Sequence, residues 1–243
     1  MLNLKEEAKF KKLREMSREL KMPPPPEIVI VLKVKDKRGK VLFTDQQRGH
    51  SWLRNRYNSM FAYLTTCGGH ASSAFGAGYM SAKNQAGTVR YGVGVSVGGN
   101  SYIDPGRGFL ADTAALSGGI IVGTSNTAWD AEQYNLIAMV AHGNGSGQLA
   151  YAASSVGAAV YTGATKSWAV EMKRMMTNNS GAQIDVKETG LVWIPGQPNE
   201  GVFTLSNEPV LMDRTVLDPI AVVPISAILT VTYVISMSFS AID

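Results

Sequence analysis

Along much of this chain apolar and polar residues alternate with a period of two, which is the signature of strands with one buried face. In "EIVIVLKVK", Ile28, Ile30, Leu32 and Val34 oppose Val29, Val31, Lys33 and Lys35. Asp36 to Gly39 then supply a turn before Val41 to Phe43, so a β-hairpin is expected, one face buried and its distal half solvated. The period changes in "HSWLRNRYNSMFAYLTT", where Leu53, Tyr57, Met60, Phe61 and Leu64 share one helical face and Ser51 stands where a cap belongs. In "TVRYGVGVSVGG", Val89, Tyr91, Val93, Val95 and Val97 oppose Arg90, Gly92, Gly94 and Ser96, a strand with a smooth glycine face. Residues 67–88 and 98–119 lack period and read as long loops.

The C-terminal half carries the clearest strand pattern. Two alternating runs flank the turn cluster Asn178 to Gly181 and predict a hairpin. Leu229, Val231, Tyr233, Ile235, Met237 and Phe239 then oppose Thr230, Thr232, Ser236 and Ser238 in one long closing strand. Strands at intervals of about ten residues, punctuated by turns, predict a mainly β fold. The expectation is an antiparallel, jelly-roll-like β-sandwich with one short helix packed on it and an N-terminal helical arm.

Residues 1–22 form that arm. Phe10, Leu13, Met16 and Leu20 make a narrow apolar stripe on a helix otherwise covered by Glu, Lys and Arg, and such a helix is marginal in water without a partner surface. These four residues are the expected partner contacts. Residues 23–27 begin with four consecutive prolines, an extended spacer ahead of a core domain at 28–243. Two readings of the arm stay open: it reaches a neighbour, or it folds back on its own domain.

Only 17% of the residues are charged, a low share, and a surface with few charges is often one that becomes covered. Of the net charge of +4, most lies in the first 22 residues, where seven Lys/Arg face four Asp/Glu. No basic face with interleaved aromatics follows, so no direct nucleic-acid role is expected. The single cysteine, Cys67, excludes an intrachain disulfide. No signal peptide is expected, and the most apolar stretch, Ile220 to Ile235, is interrupted by Pro224, Ser and Thr and predicts no membrane span.

Candidate chemistry is thin. "YGVGVSVGG" and "HGNGSGQ" lack the lysine of a phosphate-binding loop and the spacing of a dinucleotide fingerprint. His50, His70 and His142 stand apart from one another with no metal-ligand spacing, and Asp130 with Glu132 reads as a solvated pair. No nucleophile elbow occurs. No catalytic residue, metal or cofactor is expected, and the chain reads as a non-enzyme. In "GIIVGTSNTAWDAEQYNLIAMVAHGNGSGQLAYAAS", Gly119 and Gly123 read as the ends of a strand, Tyr134, Leu136 and Ile137 as a return to the core, and "HGNGSG" as a connection before the "QLAYAA" strand.

Three stretches carry a resemblance. "LKVKDKRGKVLFTD" with "SWLRNRYNSMFAYL", the block from Gly118 to Tyr151, and "RMMTNNSGAQIDVKETGLVW" with "LMDRTVLDPIAVVPISAILTVTYVISMSF" are similar to blocks shared by a group of tailed-bacteriophage virion structural proteins. Glu132-Gln133-Tyr134 stands where that group often has a bare Asp-Tyr. The resemblance spans most of residues 28–240 and implies a place in a virion made in the host cytoplasm, with no reaction. Its implied partners are copies of itself and other virion proteins, most naturally in the tail, neck or baseplate region. The alternatives are a capsid-surface decoration protein, or a module binding a receptor or host-surface glycan through a loop that carries Tyr102 and Trp129.

Overall fold

The computed structural model describes residues 4–19, 26–49, 52–58, 81–91, 108–194 and 208–238. The first hairpin forms as its alternation predicts, from β1 (Glu27–Lys35) and β2 (Val41–Arg48). Asp36 closes the turn by accepting the Arg38 and Lys40 amides at 2.8 and 2.9 Å, and Gly39 takes the left-handed conformation (φ 84°) that a side chain would resist.

β1 pairs on its other side with β12 (Ile228–Ser238), and β12 pairs with β9 (Ser167–Thr177). Three short strands, β6 (Ala150–Tyr151), β7 (Ser155–Val156) and β8 (Val160–Thr162), share the far edge of β9. This seven-stranded antiparallel sheet faces a smaller one with the order β11 (Val210–Val223), β10 (Ile184–Trp193), β5 (Gly119–Gly123). The glycines read as strand ends in the sequence are the two ends of β5.

Alternation decides which side chains meet between the sheets. Ile30, Leu32 and Val34 of β1, Leu229, Val231 and Tyr233 of β12, and Met176 of β9 are all fully buried against Val122, Val186, Leu191, Val210 and Val223 of the small sheet. Each such aliphatic side chain contributes about 1.5–3 kcal/mol by leaving water. The small sheet is buried on its other face too. Ile121, Val192 and Leu211 pack there with Leu53 and Leu136, so the segments around 53 and 136 act as its cover. Residues 54–58 are helical, as expected, but only part of the expected apolar face turns inward: Leu53 is buried whereas Tyr57 is exposed. Met60, Phe61 and Leu64 lie outside the described residues.

The expected hairpin around Asn178 to Gly181 is corrected. β9 and β10 are consecutive but lie in different sheets, and β9 pairs with β12 while β10 pairs with β11. The two pairs form one long ribbon folded over the core, its bends at 178–183 and 224–227, which is the way a jelly roll wraps. The bend has a cause. Asn178 is fully buried; its Nδ2 donates to the carbonyls of Ala182 (2.9 Å) and Val223 (2.8 Å), and its Oδ1 accepts from the Ser180 amide and hydroxyl. The side chain thus fastens both bends together.

The loop expected over 67–88 is corrected in part. β3 (Ser81–Lys83) pairs with β4 (Val89–Tyr91) around a turn in which Asn84 Oδ1 accepts the Ala86 and Thr88 amides. β4 is the described start of the strand expected from Val89, whose residues 92–97 lie outside the described residues, whereas the three residues of β3 are too few to show period and the Asn84 turn makes the hairpin.

Candidate functional site

Long connections cross the outside of this sandwich, and two buried arginines hold them. Arg174 sits in phase with Met172 and Met176 on the core face of β9 and is fully buried. Its five donors all reach backbone carbonyls: Nε to Ala152 (2.9 Å), Nη1 to Gly118 and Ile120, Nη2 to Asp112 and Ala115. The ring of Tyr151 lies 4.9 Å from the guanidinium. No carboxylate joins these contacts, and burial pushes the Arg174 pKa down to about 10, which leaves it charged at neutral pH. One side chain therefore donates to the carbonyls of Asp112, Ala115, Gly118, Ile120 and Ala152 and ties this connection to β9.

Arg214 does the same for the segment after β5. It pairs with Glu188 (Nε to Oε2, 2.6 Å), both fully buried, and donates to Thr127 O, Ala128 O and Gln133 Oε1. Glu188 in turn accepts the Ala138 amide at 2.9 Å. Gly123 is glycine because a Cβ there would run into the Glu188 carboxylate and the Ala138 carbonyl. The 124–138 stretch is thus anchored at both ends. His142 Nδ1 accepts the Tyr151 amide at 3.1 Å.

A third polar cluster joins the two sheets. Tyr233 of β12 donates to Asp213 Oδ2 of β11 at 3.1 Å, Thr215 Oγ1 lies 3.3 Å from the same oxygen, and Tyr233 also reaches Thr189 of β10 at 3.4 Å. Asp213 is fully buried and its Oδ1 has no hydrogen-bond partner. Burial pushes its pKa up to about 7, the hydroxyl donors holding it lower than burial alone would. These charged and polar groups are buried and bond to the backbone and to one another, so they organise the fold.

The surface offers a different feature. β9 and β12 run on past the small sheet, and their core-facing residues continue beyond it: Trp168 and Val170 on β9, Ile235 and Met237 on β12. With Pro26 and Phe109 they line a groove of about 270 Å³. Trp168 is 43% exposed and Tyr161, its register partner on β8, 50%; their ring centroids lie 5.1 Å apart. Val160, on the other face of β8, is 58% exposed. An uncovered continuation of a core face is apolar for the same reason the core is, and water is its poorest neighbour.

The arm, α1 (Leu4–Glu19), lies against the opposite face of the large sheet. Arg48, on β2 beside Val29, is the socket: it forms a two-pronged ion pair with Glu7, bonds Glu27 at 2.9 Å, and stacks on Phe10 with 4.2 Å to the ring centre. Arg14 bonds Glu27 at 2.6 Å. Burial would lower the Arg48 pKa, but the hydrogen bonds it donates to Glu7 and Glu27 and their charges more than offset it, so it is raised. The Glu7 pKa is lowered by its hydrogen bond to Arg48.

Of the expected arm contacts, Phe10 is half-buried on Arg48, whereas Leu13 and Met16 point outward at 44% and 46% exposure; Leu20 lies outside the described residues. The fastening is largely ionic, by Glu7 and Arg14, rather than by the apolar stripe the sequence leads one to expect. Trp129 is half-buried against Leu53, Ile121 and Leu136, and its indole nitrogen is buried without a hydrogen-bond partner. Tyr102, Cys67, His50 and His70 lie outside the described residues. Leu136 returns to the core as expected, while Tyr134 and Ile137 are exposed. Asp130 accepts the Glu132 amide, and Glu132 pairs with Arg54 at the surface. Among the described residues no group of three or more His, Cys, Asp or Glu is placed to hold a metal, and no helix is long and apolar enough to cross a membrane.

Comparison with protein-family models, with curated proteins and with solved structures finds no match.

Proposed function

We propose that this chain is a virion structural component that assembles with copies of itself and attaches to neighbouring virion proteins, most naturally in the tail, neck or baseplate region. The virion address rests on the resemblance of its sequence blocks. Self-assembly rests on one observation above the others: the overhang of β9 and β12, where Trp168 and Tyr161 carry an apolar core face into solvent beside the half-buried Ile235 and Met237. Covering such a face on a second copy removes it from water at no cost in new chain, and symmetry repeats the gain at every subunit.

Sedimentation velocity on the purified chain tests this. The wild type is expected to sediment as an oligomer, and the pair Trp168→Ser with Tyr161→Ser to sediment lighter while its thermal transition stays cooperative. A wild type that stays monomeric at high concentration overturns the reading. A second reading, a glycan-binding module on the particle, is favoured by the exposed Tyr161–Trp168 ring pair beside its groove, since sugars stack on such faces. Binding on a glycan array that Trp168→Ala abolishes would move the assignment there, and a flat array would leave it with assembly.

A further inference from the structure

We propose that α1 is exchanged between copies: the arm of one subunit docks on the Arg48–Glu27 socket of a second. This rests on the self-assembly reading and names the site through which part of it occurs.

Three observations converge. Among the described residues the arm is fastened by the Arg48 pair with Glu7, the Arg14 pair with Glu27 and the Phe10 stack on Arg48. All of them are charge or cation–ring contacts that any identical arm would satisfy equally. Docking on the chain's own socket leaves Leu13 and Met16, two large apolar side chains of the helix, turned to solvent. It matches the charges of the arm and strands its apolar stripe. Finally, the sequence between Glu19 and Glu27 contains Met22, Pro23, Pro24 and Pro25, each followed by a proline, and a following proline disfavours the helical region and favours extended dihedrals. A sequence biased to run straight favours an arm sent outward, toward a neighbour. In an assembly the neighbouring socket is present at high effective concentration, so exchange costs no contact.

The partner chemistry is therefore specific: an arm that presents an acid, an aromatic ring and a base at spacings of three and four residues to a socket of one arginine and one glutamate. Reversing one sign on both sides restores it.

Full-length light and heavy-isotope chains carrying a photo-crosslinking phenylalanine analogue at position 10 are mixed through reversible dissociation, irradiated and digested. In randomly exchanged assemblies about half of the crosslinks from position 10 to the strand bearing Arg48 join light to heavy peptides. Crosslinks that join only peptides of one isotope, in a protein that is oligomeric by sedimentation, overturn exchange and leave self-assembly standing. A monomer overturns both. Charge reversal supplies a second readout: Glu7→Arg and Arg48→Glu chains each expose the arm to trypsin, and their equimolar mixture regains protection only if arms pass between copies. Protection regained by a chain carrying both changes, and absent from the mixture, also overturns it.

Discussion

Asp213 sets a pH dependence opposite to that of most carboxylates. Its side chain lies between the sheets, with Tyr233 Oη and Thr215 Oγ1 at Oδ2 and nothing at Oδ1. The charged groups next along its strand and on β10, Arg214 and Glu188, turn to the other face of the small sheet and satisfy each other. Asp45 on β2, the other buried acid on the strands that line this core, brings no positive charge. The folded-state pKa, raised from 3.8 to about 7, means the native protein holds a proton that the unfolded chain releases. Stability from this group is fully present below about pH 4 and is lost as pH rises toward 7, after which it is flat. Three pH units at 1.36 kcal/mol each give a loss of about 4 kcal/mol. Asp213→Asn keeps the shape and cannot ionise. Urea unfolding of both proteins from pH 4 to pH 8 is expected to show the variant gaining on the wild type by about 4 kcal/mol across that window. Near pH 4 the two should differ by about 1 kcal/mol, the value of an ordinary hydrogen bond. A difference that stays constant with pH would refute the reasoning, because it would mean that Asp213 carries the same charge in both states.

Two further predictions concern the arginines. Arg174→Met strips partners from the carbonyls of Asp112, Ala115, Gly118, Ile120 and Ala152, and is expected to cost about 3–5 kcal/mol. Amide hydrogen exchange should rise first in residues 110–118. Arg214→Met alone leaves Glu188 charged and buried, a loss of about 3–5 kcal/mol, whereas Arg214→Met combined with Glu188→Leu should cost clearly less than the two single losses added. A thermal or urea double-mutant cycle measures the difference.

Much of this fold is legible in the chain, and the residues show why the rest is not. Ile28 to Val34 and Leu229 to Tyr233 announce their strands because one face is dry and the other is wet, and period two records that difference directly. The same record is silent on which sheet a strand joins. β9 and β10 look like a hairpin because a hairpin and a bend between layers share the same flanking runs; what separates them is the burial of Asn178, which depends on Val223, 45 residues away. Arg174 could have been found, since a charge in phase with Met172 and Met176 breaks the apolar face it occupies. The socket could not, because Glu7, Glu27 and Arg48 are common surface residues until the fold brings them together. The overhang was likewise hidden, for an apolar face looks the same in sequence whether or not a second layer covers it.

The strand order has a consequence for biosynthesis. β12, the last described strand to leave the ribosome, is the middle of the large sheet, with β1 on one side and β9 on the other. Until it arrives, the inward faces of Ile30, Leu32 and Val34 have no lateral neighbour on that side, and the nascent chain carries two half-sheets with raw edges. Closure is then a single late insertion of eleven residues, which makes the chain that still lacks β12 a natural client for chaperones.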